Sequence, residues 1–413
     1  MPPDETVEYD WIDGVERLEM YEPGGYHPVV IGDVLHDRYQ IVDKLGFGGY
    51  STIWLAQDRR LKRHVAIKVG ISGPSLPQRE SKILRDLSNT RLNPSSGATA
   101  SAIDDSGVIP SILDDFAVHG PNGTHKCLAV APAQGNIKEA SFSRLFPSNQ
   151  EMLTDIHLRN ILVKLPETFD ALSLNRFKEK FGEPETVRIS RADGKPLSPS
   201  VPPYAVLPLY LGENAQDFTL ADAQGLFLSD FGEAFAPATE MRLGKDCHTP
   251  VAMRAPEALF EPDAPLSYPW DIWSLGTAIW EILGMKFIFS ESETDDEIVA
   301  QQIDVLGDRH FPVSWREQWE REVAEETLLT DHGAPRKPAV DREARPPLEQ
   351  AFDEFVQKYR RKREAAGVFG DDETRAILDL MRGMLRFCPG ERLTIGEVLQ
   401  SEWMVRWAFP ELK

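Results

Sequence analysis

A lysine stands inside an apolar strand pattern, Val65-Ala-Ile-Lys68-Val69, twenty positions after Gly48. An ammonium there must find an anionic partner, because burying an isolated charge is prohibitively costly. Upstream, Leu45-Gly-Phe-Gly-Gly-Tyr-Ser-Thr-Ile-Trp54 joins two more β-rich segments, Tyr39-Gln-Ile-Val42 and Ser51-Thr-Ile-Trp-Leu-Ala56. Together the three segments predict an antiparallel meander. Gly46, Gly48 and Gly49 allow the turn to close over phosphate oxygens and aim N–H groups at them, with Leu45 and Ser51 flanking. Any glycine hairpin could show the same turn, so the strand lysine carries more weight than the loop. Phosphate oxygens and a helix carboxylate would both satisfy Lys68. Glu80, in the helical pattern Pro77 to Leu87, is the carboxylate assigned, against the plainer reading of a solvated helix charge.

The second half of the chain supplies separate signals. Asp155-Ile-His-Leu-Arg-Asn160 sets an Asp and an Asn five positions apart before the apolar Ile-Leu-Val. Leu226-Phe-Leu-Ser-Asp-Phe-Gly232 ends another apolar run on Asp230. Asp230 and Asn160 offer hard oxygen ligands suited to Mg²⁺. Met253-Arg-Ala-Pro-Glu257 follows, then the helical pattern Trp270 to Leu283, and later Arg392, expected as the buried partner of Glu257. Further helices are expected over Glu297 to Leu306, Leu348 to Arg363 and Glu373 to Leu385. The architecture predicted is α+β and bilobed, with an extension over 1–36, a β-rich lobe over 37–131 and a mainly helical lobe over 132–413.

Composition narrows the function classes. The formal charge of −21, from 45 basic and 66 acidic residues, disfavours direct nucleic-acid or acidic-membrane binding and favours cationic partners. No apolar stretch reaches the length of a membrane span. Three scattered cysteines, Cys127, Cys247 and Cys388, read as small buried hydrophobes in an intracellular reducing compartment, cytoplasmic and/or nuclear.

Taken in order, these segments resemble the eukaryotic protein kinases, over about Tyr26 to Trp407. Gly24-Gly-Tyr-His-Pro-Val29, Gly32-Asp-Val-Leu and Arg38-Tyr, with Ser51 where many kinases carry a third glycine, resemble the SR-protein kinase family. The form Asp-Ile-His-Leu-Arg-Asn is similar to the fungal branch. The resemblance implies a serine/threonine protein kinase using ATP and Mg²⁺. In it Asp155 handles the substrate hydroxyl proton, Lys68 and Glu80 form the ATP-positioning pair, and Asn160 and Asp230 hold the metal. The implied substrate is a protein, Arg-Ser-rich splicing factors in particular, and the chain is expected to be monomeric. Glu291-Ser-Glu-Thr-Asp-Asp-Glu297 would rim an acidic docking groove, although Thr294 and Glu297 also have capping-box spacing. Thr249 stands where kinases place a threonine touching the catalytic Asp.

Two spacings depart from that pattern. Asn160 to Asp230 spans 70 positions, which implies an insertion over about 166–225, expected to be flexible around Gly194-Lys-Pro-Leu-Ser-Pro-Ser-Val-Pro-Pro203. From the hinge near Ala131 to Asp155 there are only 24 positions. The resemblance implies that a long helix supporting the catalytic loop is missing there, with the break in Leu145 to Met152 and Leu153 and Thr154 in place of the usual histidine and its neighbour. A shortened transcript or gene model would explain it. A catalytically impaired ATP-binding scaffold is the alternative that follows, and a small-molecule phosphotransferase is a further one. The Ala-Pro-Glu segment and Arg392 weigh against the latter, since they build a protein-substrate platform.

Overall fold

A computed structural model describes residues 7–73, 76–92, 108–136, 157–165, 169, 172–209, 226–284, 286–321, 337–338, 342–362 and 367–412. The chain divides into two compact units, Met1–Ala140 with Ile161–Glu233, and Ser141–Asn160 with Ala234–Lys413. The first is β-rich and the second helical, an α+β protein. Ile161–Glu233 therefore groups with the β-rich unit, not with the helical lobe expected from 132 onward.

The first unit is built on a six-stranded antiparallel sheet, β1 (Val34–Leu35), β2 (Tyr39–Gly48), β3 (Ser51–Asp58), β4 (Arg63–Gly70), β5 (Asp114–Gly120) and β6 (Gly123–Val130), in the order β1-β2-β3-β4-β6-β5. The expected meander forms its centre. Trp54 on β3 faces Ile67 on β4, and both join Tyr39, Ile41, Val65, Val69 and Phe116 in one buried cluster. Branched and aromatic side chains suit such a pleated surface. Helix α1 (Leu76–Leu92) buries Glu80, Ile83 and Leu84. A second small sheet has the order β11-β8-β7 from β7 (Ala133–Asn136), β8 (Ile161–Lys164) and β11 (Leu226–Leu228).

The insertion differs from expectation. Helix α2 (Leu174–Phe181), capped by Ser173, brings Phe177 beside Phe169, and the two pack with Val42 of β2 and Leu55 of β3. Strand β9 (Thr186–Arg188) pairs antiparallel with β10 (Tyr204–Val206), enclosing the Pro/Ser-rich centre that was expected to be flexible. That centre is tied down instead. Arg191 grips Asp193 with two N–H groups, and the Ser200 carbonyl accepts from Asn122 Nδ2 at 2.8 Å. Val201 packs with Leu18, Tyr21 and Tyr26 of the N-terminal extension. Burial of apolar side chains on both flanks outweighs the local Pro/Gly signal.

In the second unit, α3 (Glu257–Phe260), α4 (Tyr268–Gly284), α5 (Asp295–Leu306), α6 (Val313–Trp319), α7 (Leu348–Phe352), α8 (Lys358–Lys362), α9 (Asp371–Met384) and α10 (Ile395–Leu399) enclose the main core. Helix α4 is apolar nearly all round and its Trp273 and Trp280 are buried among Phe289, Phe352 and Met381. A helix hydrophobic on every face must be surrounded by others. The single helix expected over Leu348 to Arg363 contains a π-helical turn at Asp353–Gln357 between α7 and α8. Among the described residues no helix is long and apolar enough to cross a membrane. Cys127 is buried, which pushes its thiol up to about 12, but Cys247 and Cys388 are only half-buried, unlike the three buried thiols expected.

Candidate active site

Strands β2 and β3 place the glycine hairpin, with Gly48 paired to Ser51 across the turn and Ser51 paired in turn to Gly70 of β4. A Cβ at Gly46, Gly48 or Gly49 would meet no atom within 4 Å, so internal packing does not demand glycine there. A ligand approaching the backbone closely would account for glycine at these positions. Leu45, half-buried, packs instead with Val42, Leu55 and the insertion's Phe169 and Phe177.

Lys68 sits opposite Ile53 and points its ammonium between two carboxylates, 2.8 Å from Glu80 Oε2 and 2.7 Å from Asp230 Oδ1. Burial works against its charge, yet the two carboxylates override burial and hold its pKa above the ordinary lysine value. Glu80 is nearly enclosed, whereas the Asp230 side chain keeps 55% of its surface open. Asp230 also has φ +59°, a left-handed conformation that is costly for a residue with a Cβ. Such strain persists where surrounding structure enforces it, commonly at functional sites. Strand β11, paired to β8 through Leu226–Val163 and Leu228–Ile161, delivers the aspartate.

These residues fit a nucleotide phosphate group. They offer a glycine hairpin, a cation held by carboxylates, and a half-exposed carboxylate of the kind a hard metal ion takes. Among the described residues no cluster of three His, Cys, Asp or Glu could bind a metal by itself, so further oxygen ligands would have to complete the shell. Asn160 closes a short 3₁₀ turn, Leu158–Asn160, directly before β8, and is buried. Asp155, Leu153, Thr154 and the shortened stretch 137–156, with its expected missing helix, lie outside the described residues.

In the second unit, Arg392 meets Glu257 with two bonds of 2.6 Å. Its other N–H groups go to the carbonyls of Pro269 (2.9 Å), Phe387 (3.2 Å) and Arg386 (2.8 Å). That accounts for all five guanidinium donors. Thr249 is buried and its carbonyl accepts from Arg254 Nε at 2.8 Å. The acidic run leads into α5 through a formed capping box, Thr294 with Glu297. Just before it, Glu291 holds Arg159 at 3.1 Å.

Comparison with known proteins finds protein kinase relatives. The family model described as protein kinase domain matches residues 217–404. A serine/threonine protein kinase of Aspergillus fumigatus is 25% identical over 404 residues, covering 94% of this chain and 90% of the relative. Residues 217–404 thus match a protein kinase domain, and the relative aligned along most of the chain is a serine/threonine protein kinase. Over a shorter stretch it is 40% identical to protein kinase dsk1 of Schizosaccharomyces pombe (27% of this chain, 20% of the relative). Human SRSF protein kinase 3 is 38% identical over 27% of this chain and 18% of its own length. A protein kinase domain implies the use of ATP with a divalent metal and a protein substrate.

Two features of the kinase unit went unread in the sequence. Lys44 is buried in β2 and paired with Glu16 of the extension, and the Tyr26 hydroxyl donates to the Gly48 carbonyl at 2.8 Å. Lys44 carried the same signal as Lys68, a lysine inside a strand.

Proposed function

We propose that the kinase transfers the ATP γ-phosphoryl to serine or threonine in Arg-Ser-rich protein segments, with the glycine hairpin, Lys68, Glu80, Asn160, Asp230 and Asp155 as its machinery. The ammonium of Lys68 set between Glu80 and Asp230 carries this reading. One carboxylate orients the lysine from α1, and the other is more than half exposed, within reach of a metal. Asp230 and Asn160 would hold a divalent cation, Mg²⁺ by the hardness of their oxygens, which would supply charge neutralisation on the phosphates. Lys68 would orient the phosphates, and hairpin N–H groups would pair with their oxygens. Asp155 would accept the proton of the attacking hydroxyl. As the new O–P bond forms, the bond from the γ-phosphorus to the bridging oxygen breaks and ADP leaves.

Charge supports the substrate class. A net −21 and the run Glu291 to Glu297 attract cationic peptides, and Glu291 already pairs with a guanidinium, that of Arg159. Relatives named SRSF protein kinase 3 are similar to about a quarter of this chain. A cytoplasmic and/or nuclear monomer that binds neither nucleic acid nor membrane fits this reading.

The test is phosphate transfer from Mg-ATP to an Arg-Ser repeat peptide by the purified chain, beside Asp155→Asn and Lys68→Met. Transfer that both changes abolish is the expected result. A folded protein that binds ATP but transfers nothing would replace this reading with a nucleotide-binding scaffold, the consequence expected of the short 131–155 spacing.

A further inference from the structure

The glycine hairpin is held from behind by a segment that precedes the sheet in sequence. Tyr26 is 2% exposed, and its hydroxyl donates to the Gly48 carbonyl at 2.8 Å. Its ring meets Tyr21 edge-on, with centroids 5.6 Å apart. Tyr21 in turn donates to Glu16, which also takes the ammonium of Lys44, four residues before Gly48 on β2. The extension therefore grips β2 at two points. Lys44 fixes the strand, and Tyr26 fixes one peptide in the turn.

The tyrosine itself has little freedom. Gly24 has φ +95°, and a Cβ on Gly25 would lie 1.8 Å from the Met20 carbonyl oxygen, so the turn before Tyr26 requires glycine. Tyr26 N donates to Met20 O at 2.8 Å. Its carbonyl accepts Asn122 Nδ2 at 2.7 Å, and the same nitrogen reaches Ser200 of the insertion. The Gly25 carbonyl accepts Ser72 N at 3.0 Å, just beyond β4. Extension, sheet and insertion all converge on one aromatic residue.

A peptide between two glycines turns over at little steric cost. In a trans planar peptide, however, the C=O and N–H point in opposite directions. Anchoring the Gly48 oxygen therefore sets the direction of the Gly49 N–H. We propose that Tyr26 is a positioning residue of the nucleotide site: its hydroxyl holds the Gly48–Gly49 peptide so that the Gly49 N–H is presented to the ATP phosphates. This rests on the reading of the hairpin as the phosphate flap. The hydroxyl is the operative group, because the ring's packing against Tyr21 would survive its removal.

The experiment compares the full chain with Tyr26→Phe, titrating ATP directly and adenosine by competition, both with Mg²⁺, and following the thermal midpoint. One lost hydrogen bond should weaken ATP binding about three- to tenfold and leave adenosine unchanged. The KM for ATP should rise by the same factor with kcat nearly constant. Tyr26→Leu, which removes ring and hydroxyl together, should show the same phosphate-selective loss on top of a lower midpoint. Equal weakening of ATP and adenosine, or no weakening of ATP, would overturn the proposal and leave Tyr26 a packing residue. If the unmodified chain bound no ATP at all, the nucleotide reading itself would fall first, and the proposal with it.

Discussion

Two ionic clusters, one in each unit, use the same kinds of side chain for opposite ends. Around Arg392 every donor is met, the guanidinium is 0% exposed and Glu257 retains 11%. Around Lys68 the lysine side chain keeps 23% of its surface and Asp230 55%. A closed cluster of the first kind has no capacity for a new partner. The second is reached by solvent, because the Asp230 side chain is more than half exposed, and phosphate or metal can approach it from that side. Burial and donor counting therefore separate a structural ion pair from a functional one where residue type does not.

Breaking the closed cluster should produce the largest effect. Arg392→Met leaves Glu257 without its charge partner and should cost about 3–5 kcal/mol in urea unfolding. A loss below 1 kcal/mol would show that the pair is not the keystone described. The open cluster should respond in activity: Lys68→Met is expected to lower phosphate transfer at least about 100-fold, roughly 2.7 kcal/mol in the barrier. Its unfolding free energy should also drop, because Glu80, 8% exposed, loses its charge partner, but by less than in Arg392→Met, since Asp230 reaches water. Destabilisation as large as that of Arg392→Met would erase the contrast.

A third pair, Arg159 with Glu291, is exposed at 51% and 20%, and tests the intermediate case. Glu291→Ala should change stability by less than about 1 kcal/mol. The same change should raise KM for an Arg-Ser peptide severalfold, measured against an unchanged KM for ATP.

The smallest effect expected is one of pH in the first unit. Burial, reinforced by the charge of His125, lowers the pKa of His27 to about 4 from its usual 6.5. The fold thus keeps His27 neutral while the unfolded chain takes up a proton below 6.5, so this stability is present above 6.5 and is lost as pH falls toward 4. Solvent screening should hold the loss to about 1 kcal/mol. Melting curves at pH 7 and 4.5 should converge for His27→Phe relative to the unmodified chain; parallel shifts in both would remove His27 as the cause.

The α+β class and the order of the motifs were legible because each rests on local pattern. Branched residues alternate through β2 to β4, apolar residues recur along α4 and α9, and Thr294 and Glu297 have the spacing of the cap they form. Lys68 and Glu80, both named from sequence, come together at 2.8 Å because one lies on a strand and the other on the helix that follows it. Longer-range pairing was not legible. Nothing near Glu16 indicates that it meets Lys44, and the Pro/Ser-rich centre of the insertion gives a loop signal that says nothing of Val201 packing on Tyr26. The β5–β6 hairpin was missed because its strands follow a long polar stretch. Ranges 137–156 and 210–225 lie outside the described residues, and with them Asp155.

Val206 of the insertion is buried in the same cluster as Val29 and Trp54 of the principal sheet. The last strand of that sheet ends at Val130, so the ribosome must add 76 residues before the piece that covers it exists. At about 5–20 residues per second that is roughly 4 to 15 s during which the nascent sheet lacks this part of its apolar cover. Holding chaperones would find their binding site on this chain there, and a truncation anywhere between 131 and 206 would leave that site permanently displayed.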